Sequence, residues 1–285
     1  MKPLLEISHL TKQIGSLYLR DISFSLEPGY IFGLIGRNGA GKTSLIRTLL
    51  NLYRKDSGSI TVNGCPMDTM EHEAKDWIGF VLDEFLFEEK MSISANGRYF
   101  GATYRMYDHE LFLNFCARFG LDTKQKAGRL SKGQKTRFQL AFALSHQAKL
   151  FIMDEPAAGL DPLFRRDLTG YMQELVEDGT RSVLFSTHLT EDLDRISDYV
   201  ALLDRGQMYF CMDKENLRER YVLLKGSEQE ILALDSPNII AAVHEPFGST
   251  ALVEYPDETL PAGLESSRPS LAELLFYLRK GGRIS

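Results

Sequence analysis

Apolar and polar residues alternate in Leu4–Ser8 and Asp21–Leu26, which predicts two half-buried strands. Glu27-Pro28-Gly29 reads as a turn, and Tyr30–Ile35 as a strand buried on both faces. A glycine-rich loop then leads into a helix expected from about Thr43 to Tyr53. Ser59–Val62 and Ile78–Leu82 are two further strands. From about Phe85 to Arg129 the pattern turns helical and aromatic, with Tyr99, Phe100, Tyr104, Tyr107, Phe112, Phe115 and Phe119. These rings read as the core of a small helical subdomain rather than as stacking platforms for a ligand. A helix from Leu130 to about Gln147, a buried strand Lys149–Met153, a helix from about Pro162 to Glu177 and a strand Ser182–Ser186 follow. Helices alternating with wholly apolar strands predict an α/β fold with helices on the sheet faces.

After about Asp213 the character changes. Tyr221–Lys225, Ile239–His244 and Thr250–Tyr255 read as short strands, punctuated by Pro246, Pro256, Pro261 and Pro269. Ser270–Lys280 reads as a terminal helix capped by Ser270. The expected organisation is a large domain over residues 1–212, with its helical subdomain at about 85–147, and a small α+β appendage over 213–285. The appendage carries no chemical motif.

Composition narrows the classes. With 44% hydrophobic and 25% charged residues the chain has ordinary globular composition. A net charge of -6 and no basic stripe argue against a nucleic-acid partner. No stretch reaches the about 18 to 20 apolar residues that a bilayer span needs, and Met1–Leu10 lacks the apolar centre of a secretion signal. Cys65, Cys116 and Cys211 match neither a metal spacing nor a disulfide framework, so they read as thiols in a reducing compartment.

Chemistry enters at Gly36-Arg37-Asn38-Gly39-Ala40-Gly41-Lys42-Thr43, a G-x-x-x-x-G-K-[ST] loop between a predicted strand and a predicted helix. Glycines let successive backbone N–H groups curl inward toward phosphate oxygens, and the helix start at Thr43 and Ser44 adds its positive dipole. Lys42 is within reach of the β- and γ-phosphates, and the Thr43 hydroxyl is a ligand for Mg²⁺. The apolar strand ending in Asp154-Glu155 supplies the acidic groups such a loop needs. Asp154 is a partner for Mg²⁺, and Glu155 faces the γ-phosphate to polarise the attacking water. Alone, a strand ending in Asp-Glu is a solvated rim; beside a phosphate loop it is a hydrolytic pair.

Leu130-Ser131-Lys132-Gly133-Gln134 resembles the LSGGQ signature of ATP-binding cassette proteins, with Lys132 in place of the first glycine. Ala158-Gly159-Leu160-Asp161-Pro162 resembles that family's D-loop, and Ser186-Thr187-His188 its switch histidine. In this order the motifs cover roughly Leu4 to Gly206. The resemblance implies a P-loop cassette with a mixed sheet core and a helical subdomain. It implies an ATPase that uses ATP and Mg²⁺, and two cassettes, identical or different, joined head to tail around two ATP molecules. Ser131, the Gly133 amide and Gln134 would then serve the ATP held by the partner, while His188 would hold the γ-phosphate in its own chain. The implied role is the ATP-hydrolysing subunit of a membrane transporter, an exporter by its short subdomain and small appendage. It would sit on the cytoplasmic face of the cell membrane, docked on membrane-spanning permease subunits near Asp83, Glu84, Glu88 and Glu89.

Two positions depart from the family pattern. Asp83 stands where the family has a glutamine that senses Mg²⁺ and the membrane subunit; a carboxylate there is still a metal ligand. Ile14 stands where an aromatic stacks on adenine, with Tyr18 nearby, and apolar contact in place of stacking costs about 1 kcal/mol. The rival class is a cassette that works away from membranes, in repair or in an assembly complex. Repair members carry long coiled coils between the phosphate loop and the signature, and no sustained heptads lie between Thr43 and Leu130.

Overall fold

The computed structural model describes residues 2–234, 238–245, 248–254 and 264–284. Along the chain run β1 (Leu5–Ile14), β2 (Leu17–Leu26), β3 (Ile31–Ile35), α1 (Lys42–Leu49), β4 (Ser57–Val62), β5 (Cys65–Pro66), α2 (Glu71–Asp76) and β6 (Ile78–Val81). The helical subdomain contributes α3 (Ile93–Gly101), α4 (His109–Arg118) and α5 (Lys132–Leu144). Then come β7 (Leu150–Asp154), α6 (Pro162–Val176), β8 (Ser182–Thr187), α7 (Thr190–Ile196), β9 (Tyr199–Asp204) and β10 (Gln207–Asp213). The remainder is α8 (Lys214–Arg220), β11 (Tyr221–Gly226), α9 (Glu228–Leu232), β12 (Ile239–Glu245), β13 (Gly248–Glu254), β14 (Glu265–Ser267) and α10 (Leu271–Lys280).

The apolar strands make the central sheet, in the order β10-β9-β3-β8-β7-β6. All of its pairings are parallel except β9 with β10. Every residue of β3, β7 and β8 is buried, as a sheet covered on both faces requires. The alternating strands form a separate antiparallel sheet, β2-β1-β4-β5. The C-terminal strands form a third, β12-β13-β11-β14. Parallel register aligns Ile35 with Thr187 and Asp154 with Ser186, so the ends of β3, β7 and β8 open at one edge. Ligands of open α/β sheets bind at that edge.

Several expected boundaries move. The first helix stops at Leu49, short of Tyr53, because Asn51 turns left-handed at φ 54°. The Leu52 N–H then bonds the Arg47 carbonyl and the Asn51 N–H that of Thr48, a Schellman closure. Phe85–Ser92 is not helical. Its backbone is held by the buried Asn96 amide, which accepts from Glu88 N–H at 2.9 Å and donates to Glu88 O at 3.0 Å. That frees Phe87 to wedge against Phe138 and Phe142, ring centres 4.6 and 5.0 Å away. The β9–β10 hairpin and the short helices α2, α7, α8 and α9 were not among the expected elements. Pro246, Tyr255, Pro256 and Pro261 lie outside the described residues.

One face of the C-terminal sheet joins the main core, while Leu224, Ile231, Ala251 and Val253 form a small cluster of their own. One apolar cluster runs from Phe185, Leu193 and Leu202 through Leu217 and Tyr221 to Leu274 and Leu278. Burial is therefore continuous across residue 213.

Candidate functional site

The loop Gly36–Gly41 joins β3 to α1 at the open edge of the central sheet. Gly41 caps the helix at φ 111°, a conformation that L side chains rarely adopt. A Cβ there would also lie 2.9 Å from Leu19 Cδ2. Arg37, Asn38 and Gly39 are exposed, whereas Gly36 and Ala40 are buried. The Lys42 side chain, 6% exposed, curls back over the loop: Nζ donates to Gly36 O at 2.7 Å and lies 3.5 Å from Glu155 Oε1. A buried ammonium ringed by loop carbonyls and one carboxylate exchanges readily for phosphate oxygens of higher charge. Thr43 is exposed beside it and Ser44 half-buried.

Strands β7 and β8 deliver the acidic pair. The buried Ser186 hydroxyl donates to Asp154 Oδ1 at 2.6 Å and accepts from the Glu155 N–H at 2.9 Å. That single hydroxyl holds the Asp154 carboxylate and the Glu155 main chain. Glu155 sits at φ 47°, left-handed for a non-glycine residue, which turns its side chain off the strand direction and into the site. Its other oxygen, Oε2, is 2.8 Å from His188 Nδ1. Glu155 thus bridges Lys42 and His188, and the loop, the acidic strand end and His188 form one cluster.

Ser131, Gly133 and Gln134 stand apart from that cluster, at the start of α5. The Ser131 hydroxyl accepts from the Gln134 N–H at 3.3 Å, and Gln134 Oε1 accepts from the Ser131 N–H at 3.0 Å. This capping box fixes the helix start and engages the Gln134 side chain within it. Asp83 lies just past β6, where it pairs with Lys132 at 2.6 Å. Its neighbour Glu84 pairs with Arg47 on α1 at 2.8 Å, and Glu89 with Lys135 at 2.9 Å. Ile14 faces Leu17 across the β1–β2 turn, and Leu17 Cδ2 lies 3.5 Å from the Gly41 Cβ position. Because Leu17 and Leu19 both face the loop, strand alternation turns Tyr18 away from it, and its ring stacks under Arg20 instead.

Two functional-site contacts were not legible in the sequence. The Ser186 bridge depends on the register of β7 against β8, and the Asp83–Lys132 pair joins residues almost fifty positions apart. The cysteines lie outside the site. Burial pushes the Cys116 thiol up to about 12 and the Cys211 thiol up to about 11.

Residues 19–158 match the family model described as ABC transporter. The chain is 34% identical over 210 residues to the uncharacterized ABC transporter ATP-binding protein YdbJ of Bacillus subtilis (strain 168), covering 73% of this chain and 68% of that one. It is 31% identical to Nod factor export ATP-binding protein I of Rhizobium sp. (strain N33), over 84% of this chain and 82% of that one. Among solved structures, an ATP-binding subunit of an ABC transporter superposes with a TM-score of 0.70 at 24% identity, covering 76% of this chain and 92% of that one. The chain belongs to the ABC transporter ATP-binding proteins: it is an ATP-binding, ATP-hydrolysing cassette subunit. Such subunits work with membrane permease components. Among the described residues, no helix is long and apolar enough to cross a membrane.

Proposed function

We propose that two such cassettes close head to tail on two ATP molecules and power an exporter from the cytoplasmic face of the cell membrane. The observation that carries this reading is Glu155, held between Lys42 at 3.5 Å and His188 at 2.8 Å. An incoming γ-phosphate competes for both cations. Lys42 turns onto the β- and γ-phosphate oxygens, cradled by the amides of Gly36–Thr43, and His188 turns onto the γ-phosphate. Glu155 is then left free to orient a water molecule in line with the scissile bond. As the oxygen of that water bonds to phosphorus and the bond to ADP breaks, Glu155 takes up the proton.

The donor set fits Mg²⁺. Asp154 is 3% exposed and uses Oδ1 toward Ser186, and the Thr43 hydroxyl is exposed beside the loop. One carboxylate and one hydroxyl, completed by phosphates and water, are what a small hard cation takes; an all-protein cage is not required. When bound, Mg²⁺ neutralises charge on the terminal phosphates. Asp83 is a further candidate ligand, with Lys132 as its present partner. In the closed pair Ser131 and the Gly133 amide face the partner's γ-phosphate. Gln134 acts through the cap it gives Ser131.

The reading also needs a docking surface. An apolar groove of about 170 Å³ runs between Leu50, Leu52, Phe80, Leu82, Leu86 and Tyr104. Leu52 and Leu86 are 47% and 40% exposed there, which suits an apolar segment of a permease. Similarity to a Nod factor export subunit supports the outward direction.

The test is Glu155→Gln. It removes the water-polarising carboxylate and leaves Asp154 in place. Sedimentation with Mg-ATP is expected to show a stable dimer, with hydrolysis down by about 100-fold or more. A variant that stays monomeric at saturating ATP, or turns over at the normal rate, overturns the proposal.

A further inference from the structure

Helix α10 carries two stripes. Leu271, Leu274 and Leu278 are buried in the main core. Ala272, Leu275, Phe276 and Arg279 follow the i, i+3, i+4, i+7 spacing of a second face. That second face lines a cavity of about 490 Å³, whose other walls are Gly36–Asn38, His188 and the end of β9. None of Lys42, Thr43, Asp154 and Glu155 lines it, so the cavity lies beside the phosphate cradle and not in it. Two contacts hold the helix in place. The Ser270–Glu273 capping box fixes its first turn, and the Leu271 N–H donates to Asp194 Oδ2 on α7 at 3.3 Å.

The walls are chemically divided. Leu275 and Phe276 are apolar, and Phe276 is 47% exposed. Arg279 and Arg37 bring two guanidinium groups from opposite sides. Among the described residues, no carboxylate pairs with either. By contrast Arg137, Arg165 and Arg220 are all ion-paired. Asp204 also borders the cavity, so two cations face one resident carboxylate and leave room for a single further negative charge. A bare anion such as phosphate makes no use of the Phe276 face, and a neutral hydrocarbon leaves the guanidinium groups unanswered. The volume lies within the range of small-molecule pockets, about 300–1,000 Å³.

We propose that this cavity is a second ligand site, for a small monocarboxylate with an apolar body, and that its occupant opposes ATP binding across the phosphate loop. Arg279 takes the carboxylate together with Arg37, and the hydrocarbon lies along Leu275 and Phe276. The two sites share Arg37, Asn38 and His188. Negative charge on one side of that shared wall disfavours negative charge on the other. The C-terminal helix thereby gives the cassette an input that is separate from the nucleotide.

The probe is octanoate, titrated calorimetrically into the full chain. It is expected to bind with a Kd below about 1 mM. Acetate, which has the charge without the chain, and octanol, which has the chain without the charge, are each expected to bind about tenfold more weakly or worse. Arg279→Gln is expected to weaken octanoate about tenfold, the size of one charge-assisted hydrogen bond, and Phe276→Ala to weaken it several-fold. Both side chains are exposed, and unchanged thermal unfolding of each variant checks that the fold is intact. A non-hydrolysable ATP analogue is expected to weaken octanoate several-fold, and octanoate to weaken the analogue by the same factor. Without octanoate, Arg279→Gln should bind the analogue as the natural chain does. Absence of saturable octanoate binding, or binding that survives both substitutions, overturns the site. Loss of analogue affinity in Arg279→Gln alone would assign Arg279 to the nucleotide and overturn the site equally. Two ligands that bind without mutual effect overturn the link across the loop.

Discussion

Ser186 holds more of the site than its size suggests. One hydroxyl donates to the Asp154 carboxylate and accepts from the Glu155 backbone N–H, so a single atom ties the side chain of one acid to the main chain of the next. Ser186→Ala leaves a carboxylate oxygen without its donor at a position only 3% exposed. The expected loss is about 1.5–3 kcal/mol of stability, read by urea unfolding, with a larger fall in single-turnover hydrolysis than in ATP affinity. Ser186→Thr, which keeps the hydroxyl, should restore most of both. Lys42→Ala acts differently. It leaves Glu155, 19% exposed, with His188 still 2.8 Å away, so the melting temperature should fall little while ATP binding by calorimetry falls by about 100-fold or more. Nucleotide binding unchanged in that variant would remove the loop from the site.

At the scale of elements, α5 is the connecting part. Its first turn carries the signature, Gln139 clamps β6, and the loop beyond its last turn buries His146. Both ring nitrogens of His146 face carbonyl oxygens, Phe142 O at 3.1 Å and Ile78 O at 2.9 Å, with the ring of Tyr104 tilted over it at 4.1 Å. Burial outweighs those carbonyls and pulls its pKa below the ordinary 6.5. The folded chain thus keeps His146 neutral at a pH where the unfolded chain has bound a proton. Stability is complete above about pH 6.5 and declines as pH falls toward the lowered value, by at most about 1.4 kcal/mol per pH unit from this group. Urea midpoints between pH 7.5 and 5.5 should therefore fall for the natural chain and fall less steeply for His146→Gln. Equal slopes would mean that the imidazole is charged in the fold.

For the molecule as a whole, the apolar groove is the surface proposed for docking. Of the acids near the expected docking surface, Glu84 and Glu89 are already paired within the chain, and the Glu88 carboxylate accepts from the Lys90 N–H. Charge at those positions is thus a weaker probe of docking than the groove itself. Leu86→Glu places a carboxylate on a side chain already 40% exposed, so the fold should tolerate it. Co-purification with a membrane-spanning chain should be lost while ATP-driven dimerisation persists. A natural chain that never associates with a multi-span protein would instead favour a cassette working away from membranes. The C-terminal helix α10 borders the phosphate loop. A cavity of about 490 Å³ lies between Arg37 and His188 on the cassette and Phe276 and Arg279 on α10.

What the sequence determined by itself was local. The phosphate loop, the acidic strand end and the capped signature are contiguous runs whose residue types dictate their own backbone: glycine for a left-handed cap, Ser-x-x-Gln for a helix start, an unbroken apolar run for a buried strand. Family and fold class follow from those runs and their order. What only the tertiary structure decided depends on residues brought together across the chain. The Ser186 bridge needs β7 and β8 in register, the turning of Tyr18 away from the loop needs the β1–β2 pairing, and the Asp83–Lys132 pair needs Gln139 to lock α5 against β6. Phe85–Ser92 shows the same limit from the other side. Its aromatic pattern suggested a helix, yet the Asn96 side chain bonds the Glu88 backbone and the Phe87 ring packs against Phe138 of α5. Periodicity records which residues avoid water. Which partner each of them meets is set by the register and packing of elements distant in sequence, and no window along the chain contains that information.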